Sequence, residues 1–441
     1  MLPPALQHRS EPLALVVAGG GAAGYMAAIT AAEQGVAPVL LLESQPEPLQ
    51  KILISGGGRC NVTHACWDPR ALVGHYPRGG RALRGPFSRF ASGDAVAWFS
   101  DHGLELVEEP DGRMFPRSNK AESVAATLRR AAAAAGVIVQ TGCALRTAAA
   151  LPTGGFQLQS RGPAGASFSV CSERLLLATG GHPSGRQLAA SLGHTIVPPV
   201  PSLFTLTLED TGITALAGVV MASVALELLV EPEDSGDQNA EAPGLQRFRQ
   251  QGTVLITHRG LSGPAILRLT AFAARALHQS RYRARLRVDW SSGRSLEMVQ
   301  EAFAQARLEQ ARRQLDNWRP WPELSRRFWD RLLIDQAVDP GKRWADLARR
   351  EQERLIAALR ASQYRVRGRG PFGEEFVTAG GVALGEINLA TMESRLIPGL
   401  FMAGELMDVD GVTGGFNFQH CWSSGWLAGR AIAASALQAS P

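Results

Sequence analysis

Lysine is almost missing from this chain. Three occur in 441 residues (Lys51, Lys120, Lys342), against 45 basic side chains in all, so the net charge of +5 is an arginine charge. No apolar run reaches the roughly 18–20 residues that a membrane-spanning helix needs. The start, MLPPALQHRSEP, has neither the apolar core nor the cleavage pattern of a secretory leader. A soluble, cytoplasmic protein with no membrane partner is expected. Cysteine is scarce: Cys60, Cys66, Cys143, Cys171 and Cys421 form no CxxC pair and no zinc spacing. Neither a disulfide framework nor a metal site is therefore expected. The composition, 45% hydrophobic and 19% charged, is that of a globular protein. A chain this long exceeds what one core usually holds, which points to two or three domains.

Glycine is plentiful, with 47 residues, and it clusters. Ala14 to Ala18 is an apolar run entering Gly19-x-Gly21-x-x-Gly24, followed by an Ala-rich segment and a second apolar run, Val39 to Leu42, that ends at Glu43. Gly19 permits a tight strand-to-helix turn, Gly21 leaves room for a pyrophosphate, and Gly24 lets helix and strand pack closely. The helix beginning at Ala22 and Ala23 offers free N–H groups to the phosphates, and Glu43 can accept both hydrogen bonds of a ribose diol. The alternative is a glycine turn in an ordinary βα unit.

A second cluster follows in Ile54-Ser55-Gly56-Gly57-Gly58-Arg59-Cys60-Asn61. Its backbone N–H groups, Ser55 and Arg59 can meet a pyrophosphate or a flavin edge, unless the segment is only a surface turn. Leu175 to Ala178 is a buried-strand pattern ending in Thr179-Gly180-Gly181. Near the C-terminus Gly399 to Ala403 leads into Gly404-Glu405, then Asp410, then Gly414-Gly415-Phe416-Asn417. Strand–Gly–Asp/Glu followed by a glycine pair opening a helix suits the flavin half of FAD, where a helix N-terminus stabilises negative charge on the reduced ring. An unrelated strand–loop–helix is the alternative.

Between these ends the pattern changes. Ala121 to Ala135 reads as a helix, and Phe156 to Gln159 and Phe168 to Val170 read as short strands. After the stiff Pro198-Pro199-Val200-Pro201, strand-like runs recur at Leu203 to Leu208, Val219 to Val230, Thr253 to Ile256 and Tyr282 to Val288. The connection 231–244 is acidic and reads as mobile. Spacings of three and four dominate 295–362, through Trp344, Leu347, Leu355, Ile356 and Leu359. The expected architecture is α/β: a discontinuous Rossmann-like FAD fold over 11–200 and 371–441. A β-rich, barrel-like insert would span 201–294 with 363–370, and a small helical insert 295–362.

These stretches together resemble the BaiN/YhiN-type NAD(P)/FAD-dependent oxidoreductases, bacterial flavoproteins of the glutathione-reductase superfamily. The resemblance spans about residues 14–435. It rests on GGGAAG (19–24), KILISGGGRCNVTHA (51–65), RMFPRSNKAESV (113–124), LATGG (177–181), GHTIVPPVPSL (193–203), THRGLSGPAIL (257–267), FVTAGGVALGEIN (376–388), the TMESRL…FNFQ run (391–419) and GWLAG (425–429). It implies FAD as cofactor, with Gly19, Gly21, Ala22, Ala23, Gly24 and Glu43 at the adenosine end. Toward the flavin it implies Ser55, Gly57, Gly58, Arg59, Cys60, Asn61, Thr179, Gly180, Gly181, Gly404, Glu405, Asp410, Gly414, Gly415, Phe416 and Asn417. Two places depart from the family's pattern: His64 stands where relatives tend to carry Asn, and 180–194 is shortened.

The implied reaction takes hydride from NAD(P)H through FAD to a polarised C=C bond, in an enone or in a uracil of ribosomal RNA. Cys60 or His420 can supply the proton, since an ordinary thiol and an imidazole both hold protons near neutrality. A disulfide reductase using Cys60 and Cys66 is a weaker alternative, because five residues separate them and no second GxGxxG lies between 140 and 375. RNA contact is expected, if anywhere, in residues 312–370, where 15 basic residues outnumber 8 acidic ones and Trp318, Trp321, Trp329 and Trp344 are interleaved. The competing reading puts those tryptophans in a helical core. At Thr257 to Pro264 a polar turn leads into an apolar helix, with Ser262 as its expected cap and His258 and Arg259 as candidates for the open face of the flavin.

Overall fold

Runs that are apolar without alternation suit parallel strands covered on both faces. Leu15–Ala18 (β1), Val39–Leu42 (β2) and Leu175–Leu177 (β4) are such runs, and every side chain in them is buried. The computed structural model describes residues 11–162, 166–209, 211–231, 244–370 and 377–439. In it β1, β2 and β4 lie side by side with Ile138–Gln140 (β3) and, from the far end of the chain, Leu400–Met402 (β13). The order is β13-β4-β1-β2-β3, all parallel, and a hairpin of Ile387–Asn388 (β11) and Glu393–Ser394 (β12) extends the β13 edge. Val16 pairs with both Leu40 and Leu175, and Leu175 with Leu400.

The helix after β1, Ala22–Glu33 (α1), buries ten successive residues from Ala22 to Ala31, as a helix apolar all round must, and Ala121–Ala134 (α2) leads into β3. The C-terminal helix, Phe416–Ala439 (α7), lies against it. A Cβ added to Gly425 or Gly429 would stand 2.6 Å from Ala23 O or Ala27 O, so these two glycines let the helix backbones touch.

The molecule divides into two units, Met1–Pro199 with Thr378–Pro441, and Val200–Val377. In the second, six antiparallel strands close a barrel in the order β5-β8-β7-β6-β9-β10. They are Leu206–Leu208 (β5), Val220–Val230 (β6), Gln246–Ile256 (β7), Gly260–Ser262 (β8), Ala284–Asp289 (β9) and Ser362–Arg369 (β10). The acidic connection between β6 and β7 lies outside the described residues. Pro264–Gln279 (α3) packs Ile266, Leu269, Ala273 and Leu277 into the barrel core. Leu296–Glu309 (α4), Arg326–Asp335 (α5) and Arg349–Ala361 (α6) continue that core through Trp290, Phe303, Trp329 and Trp344.

One sequence expectation changes here, and one pair of alternatives is decided. Ser262 does not cap α3: Gly263 is the N-cap, at φ +94°, and the Ser262 hydroxyl accepts instead from Thr205 Oγ1 at 3.0 Å. Of the four tryptophans of 312–370 only Trp318 is exposed, with the Arg313 guanidinium over its ring at 5.2 Å, so together they form no continuous stacking surface. Trp321, Trp329 and Trp344 are buried, and the Trp329 and Trp344 rings stack on each other at 6.1 Å, because a small helical layer must fill its interior with its largest apolar groups.

Candidate functional site

Parallel strands present their carboxyl ends along one edge, which is where open α/β sheets bind ligands. Four predicted segments begin at that edge: Gly19 after β1, Glu43 after β2, Thr179 after β4 and Gly404 after β13. Sheet order thus brings together residues some 380 positions apart in sequence.

The glycine turn has a crowded side and an open side. A Cβ on Gly19 would lie 2.3 Å from Ala178 O, at φ +117°, and one on Gly24 would lie 1.9 Å from Gly19 O. A Cβ on Gly21 would meet nothing within 4 Å. Crowding keeps the helix against the strand, and the open position leaves backbone free for a ligand. Glu43 is held at the same turn: Oε2 accepts the Gly20 N–H at 2.8 Å, and Oε1 accepts from Gln45 N at 2.7 Å. Gly57 and Gly58 are likewise open, with φ of +68° and +82°. These features fit the pyrophosphate and ribose of a dinucleotide.

At the β13 end, Glu405 takes an ion pair from Lys51, accepts the Thr378 N–H at 3.3 Å, and has Oε1 only 3.0 Å from where a Cβ on Gly181 would stand. Thr179 turns inward, its hydroxyl buried without a hydrogen-bond partner. Asn61 ties its loop to the α7 start, its amide donating to Thr63 O at 2.9 Å and accepting from Gly415 N at 3.0 Å. Asn417 spans the preceding turn, accepting from Gly411 N at 2.8 Å and donating to Gly411 O at 2.9 Å.

Three side chains point elsewhere than the sequence suggests. Arg59 donates to Glu109 at 2.7 Å and lies over the Phe115 ring at 4.0 Å. The Asp410 carboxylate is fully buried and grips Arg78 in a two-pronged ion pair. Arg78 stands 332 positions earlier and carries no motif, so only the fold reveals it. Cys60, at φ +60°, is completely buried, and burial pushes its thiol up to about 12 although Ser55 pulls it down.

His420 is also buried, and burial lowers its pKa to about 4 despite the Gly404 carbonyl. Its Nε2 meets Gly404 O at 3.2 Å, so that nitrogen carries the proton, and Nδ1 is buried with no partner. His64 is more accessible. It stacks on Phe416 at 4.8 Å and borders Gly414, with burial holding its pKa down against nearby Asp111.

Comparison with known proteins accords with this geometry. The model of the HI0933-like protein Rossmann domain matches residues 13–431.

The chain belongs to the HI0933-like family.

A 3-dehydro-bile acid delta(4,6)-reductase of Clostridium scindens is 30% identical over 424 residues, 95% of this chain and 98% of the relative. A ribosomal RNA dihydrouridine synthase of Escherichia coli is 29% identical over 437 residues, with the same coverage. Among solved structures, 3-ketosteroid delta1-dehydrogenase from Sterolibacterium denitrificans is 13% identical. It covers 96% of this chain and 99% of its own at a TM-score of 0.50, a likeness of fold alone. Among the described residues of this HI0933-like chain, no helix is long and apolar enough to cross a membrane, and no cluster of ligating side chains suits a metal ion.

Proposed function

We propose that this chain is an FAD-dependent oxidoreductase that passes hydride from NAD(P)H to a C=C bond conjugated with a carbonyl. One observation carries the reading: two relatives matched from end to end are named for a delta(4,6) reduction on a 3-oxo bile acid and for making dihydrouridine. Both products require saturation of a C=C bond beside a carbonyl. The crowded-and-open glycine turn supports the cofactor half of the reading, because it leaves backbone open where a dinucleotide pyrophosphate would lie.

FAD, when bound, supplies a two-electron hydride carrier. The chain's own residues do the rest. Gly21, Gly57 and Gly58 would give backbone access, and Glu43 would take the ribose hydroxyls. Glu405, steadied by Lys51, stands where the strand ends. The start of α7 after Gly414-Gly415 offers N–H groups to developing negative charge. A proton must also reach the substrate. Cys60 is sealed from solvent, and His420 is neutral with its one proton engaged at Gly404. His64, half-exposed beside Gly414, is the better placed group. The same burial of Cys60 speaks against a disulfide reductase, which needs a thiolate at neutral pH.

An absorbance spectrum of the purified protein, followed by anaerobic titration with NADH and NADPH, tests the proposal. A flavin spectrum bleached by either nucleotide is expected. A colourless protein that takes up no FAD overturns the cofactor assignment. A coloured one that neither nucleotide bleaches overturns the donor.

A further inference from the structure

The outer wall of the barrel carries a grid of arginines. Along β7, β6, β9 and β10 the inward residues (Leu226, Leu228, Val254, Leu286, Val288, Val366) fill the core, so their neighbours face out. Strand register aligns those neighbours in rows. Arg247 and Arg285 flank Leu229, and Arg285 stands directly opposite Arg365. In the next row Arg249 and Arg287 flank Glu227 and Gln363 stands opposite Arg287, while Arg367 lies on the same face on the other side of the Arg365 row. All six arginines are exposed. Two carboxylates answer them among the described residues: Glu227, which holds Arg249 at 2.6 Å and Arg247 at 4.0 Å, and Glu231, paired with Arg285. Asp289, at the end of β9, is taken by Arg360.

Several arginines of the helical layer are tied down. Arg326, Arg331 and Arg349 pair with acids one turn on, Asp330, Asp335 and Glu353. Arg327 and Arg354 hold backbone carbonyls. Among the described residues no ion pair takes Arg287, Arg365 or Arg367, and Arg365 stands opposite Arg285, a like-charge pairing that destabilises a sheet and that an anion over it relieves.

We propose that this arginine wall docks RNA through its phosphates. Four adjacent strands spaced about 4.8 Å apart make a surface roughly 14 Å across, and a duplex lays a phosphate charge along every few ångströms of its axis. Arginine forks suit phosphate oxygens. The aromatics of these strands, Phe248 and Tyr364, pack toward the core and offer no stacking platform, so the wall reads backbone charge and favours a helical RNA segment over unpaired bases. Within 312–370 this assigns the RNA contact to strand β10, and it adds β7 and β9, which lie outside that range. The inference names the partner in the RNA form of the function proposed above and rests on that form. Its test reads binding rather than turnover, so the two fail separately.

Anisotropy of a labelled RNA hairpin with the full-length protein, from 50 to 200 mM salt, is the measurement. Binding should weaken steeply with salt. The Arg285→Glu/Arg287→Glu/Arg365→Glu variant should lose at least about 100-fold in affinity, with a salt slope shallower by about 3. The charge-matched Arg326→Glu/Arg349→Glu/Arg350→Glu variant should change affinity less than about 3-fold. Equal losses in both variants, or none in the first, overturn the proposal, as does tighter binding to phosphatidylserine vesicles than to RNA. The milder Arg365→Gln should weaken RNA binding about 10-fold while leaving Tm equal or higher. A lower Tm with unchanged binding would make Arg365 structural and overturn the assignment.

Discussion

In the sheet unit the residues proposed to face a ligand are mostly glycines, and in the barrel unit they are arginines. The first kind works by what is missing. Gly19 and Gly24 sit against backbone oxygens at distances no side chain tolerates, while Gly21, Gly57 and Gly58 face open space. The second kind works by repetition, with charges carried on a frame whose stability comes from Trp329, Trp344 and the barrel interior. A site built from absent side chains should break at single positions. A site built from repeated charges should wear down gradually.

The sharpest break should come inside the glycine turn. Gly24→Val would drive a Cβ into Gly19 O, and α1 would have to leave its strand. A loss above about 4 kcal/mol is expected, seen as insoluble protein or collapse of the melting transition. Gly21→Ala, three residues earlier, meets nothing. It should keep stability within the usual surface range of about 0.5 kcal/mol and show its effect in FAD uptake alone. If both variants melt alike, the crowded and open sides are not distinct. In the barrel unit, Trp329→Ala removes a ring stacked on Trp344 and an Nε1–H donated to Leu315 O at 2.7 Å. Chemical denaturation should show a cost of about 3–5 kcal/mol, with FAD affinity of the folded protein unchanged.

What the sequence made legible follows the same division. Glycine spacing marks a turn because each glycine answers a local steric demand, so Gly19 to Gly24 and the strand ending at Glu43 could be read directly. The barrel could be read where strands alternate over apolar residues, as in Val219 to Val230. The first half of β7, QRFRQQ from Gln246 to Gln251, could not, because its outward face is polar and only Phe248 marks the inward one. The Asp410–Arg78 and Arg59–Glu109 pairs were also hidden. Ion pairs between distant segments depend on tertiary register, and no local pattern records it. Burial hid the state of Cys60 and His420 for the same reason.

His420 offers a test of that burial. Its pKa of about 4 lies below the ordinary 6.5, so the unfolded chain takes up the proton first as pH falls. Its contribution to stability is therefore intact above pH 6.5 and is lost as pH falls toward about 4, about 3 kcal/mol in all. His420→Gln keeps an N–H donor toward Gly404 O and removes the titration. Denaturation at pH 7 and at pH 4.5 should show a larger drop for the parent than for the variant. Equal drops would mean that His420 does not sense pH through burial.

The smallest effect should be the most specific. Glu43 is fixed at its turn by Gly20 N and Gln45 N, so its carboxylate is placed whether or not a ligand is present. Glu43→Gln preserves the size and the bond from Gly20, gives up the one from Gln45 N, and weakens acceptance from two ribose hydroxyls, a loss of about 1–2 kcal/mol or about 10-fold in affinity. That loss should appear for FAD and not for FMN, which lacks the adenosine ribose. Equilibrium dialysis of both flavins against parent and variant separates the possibilities. If FMN weakens as much as FAD, Glu43 acts by shaping the turn, and the adenosine end of the site must be sought elsewhere along the strand edge.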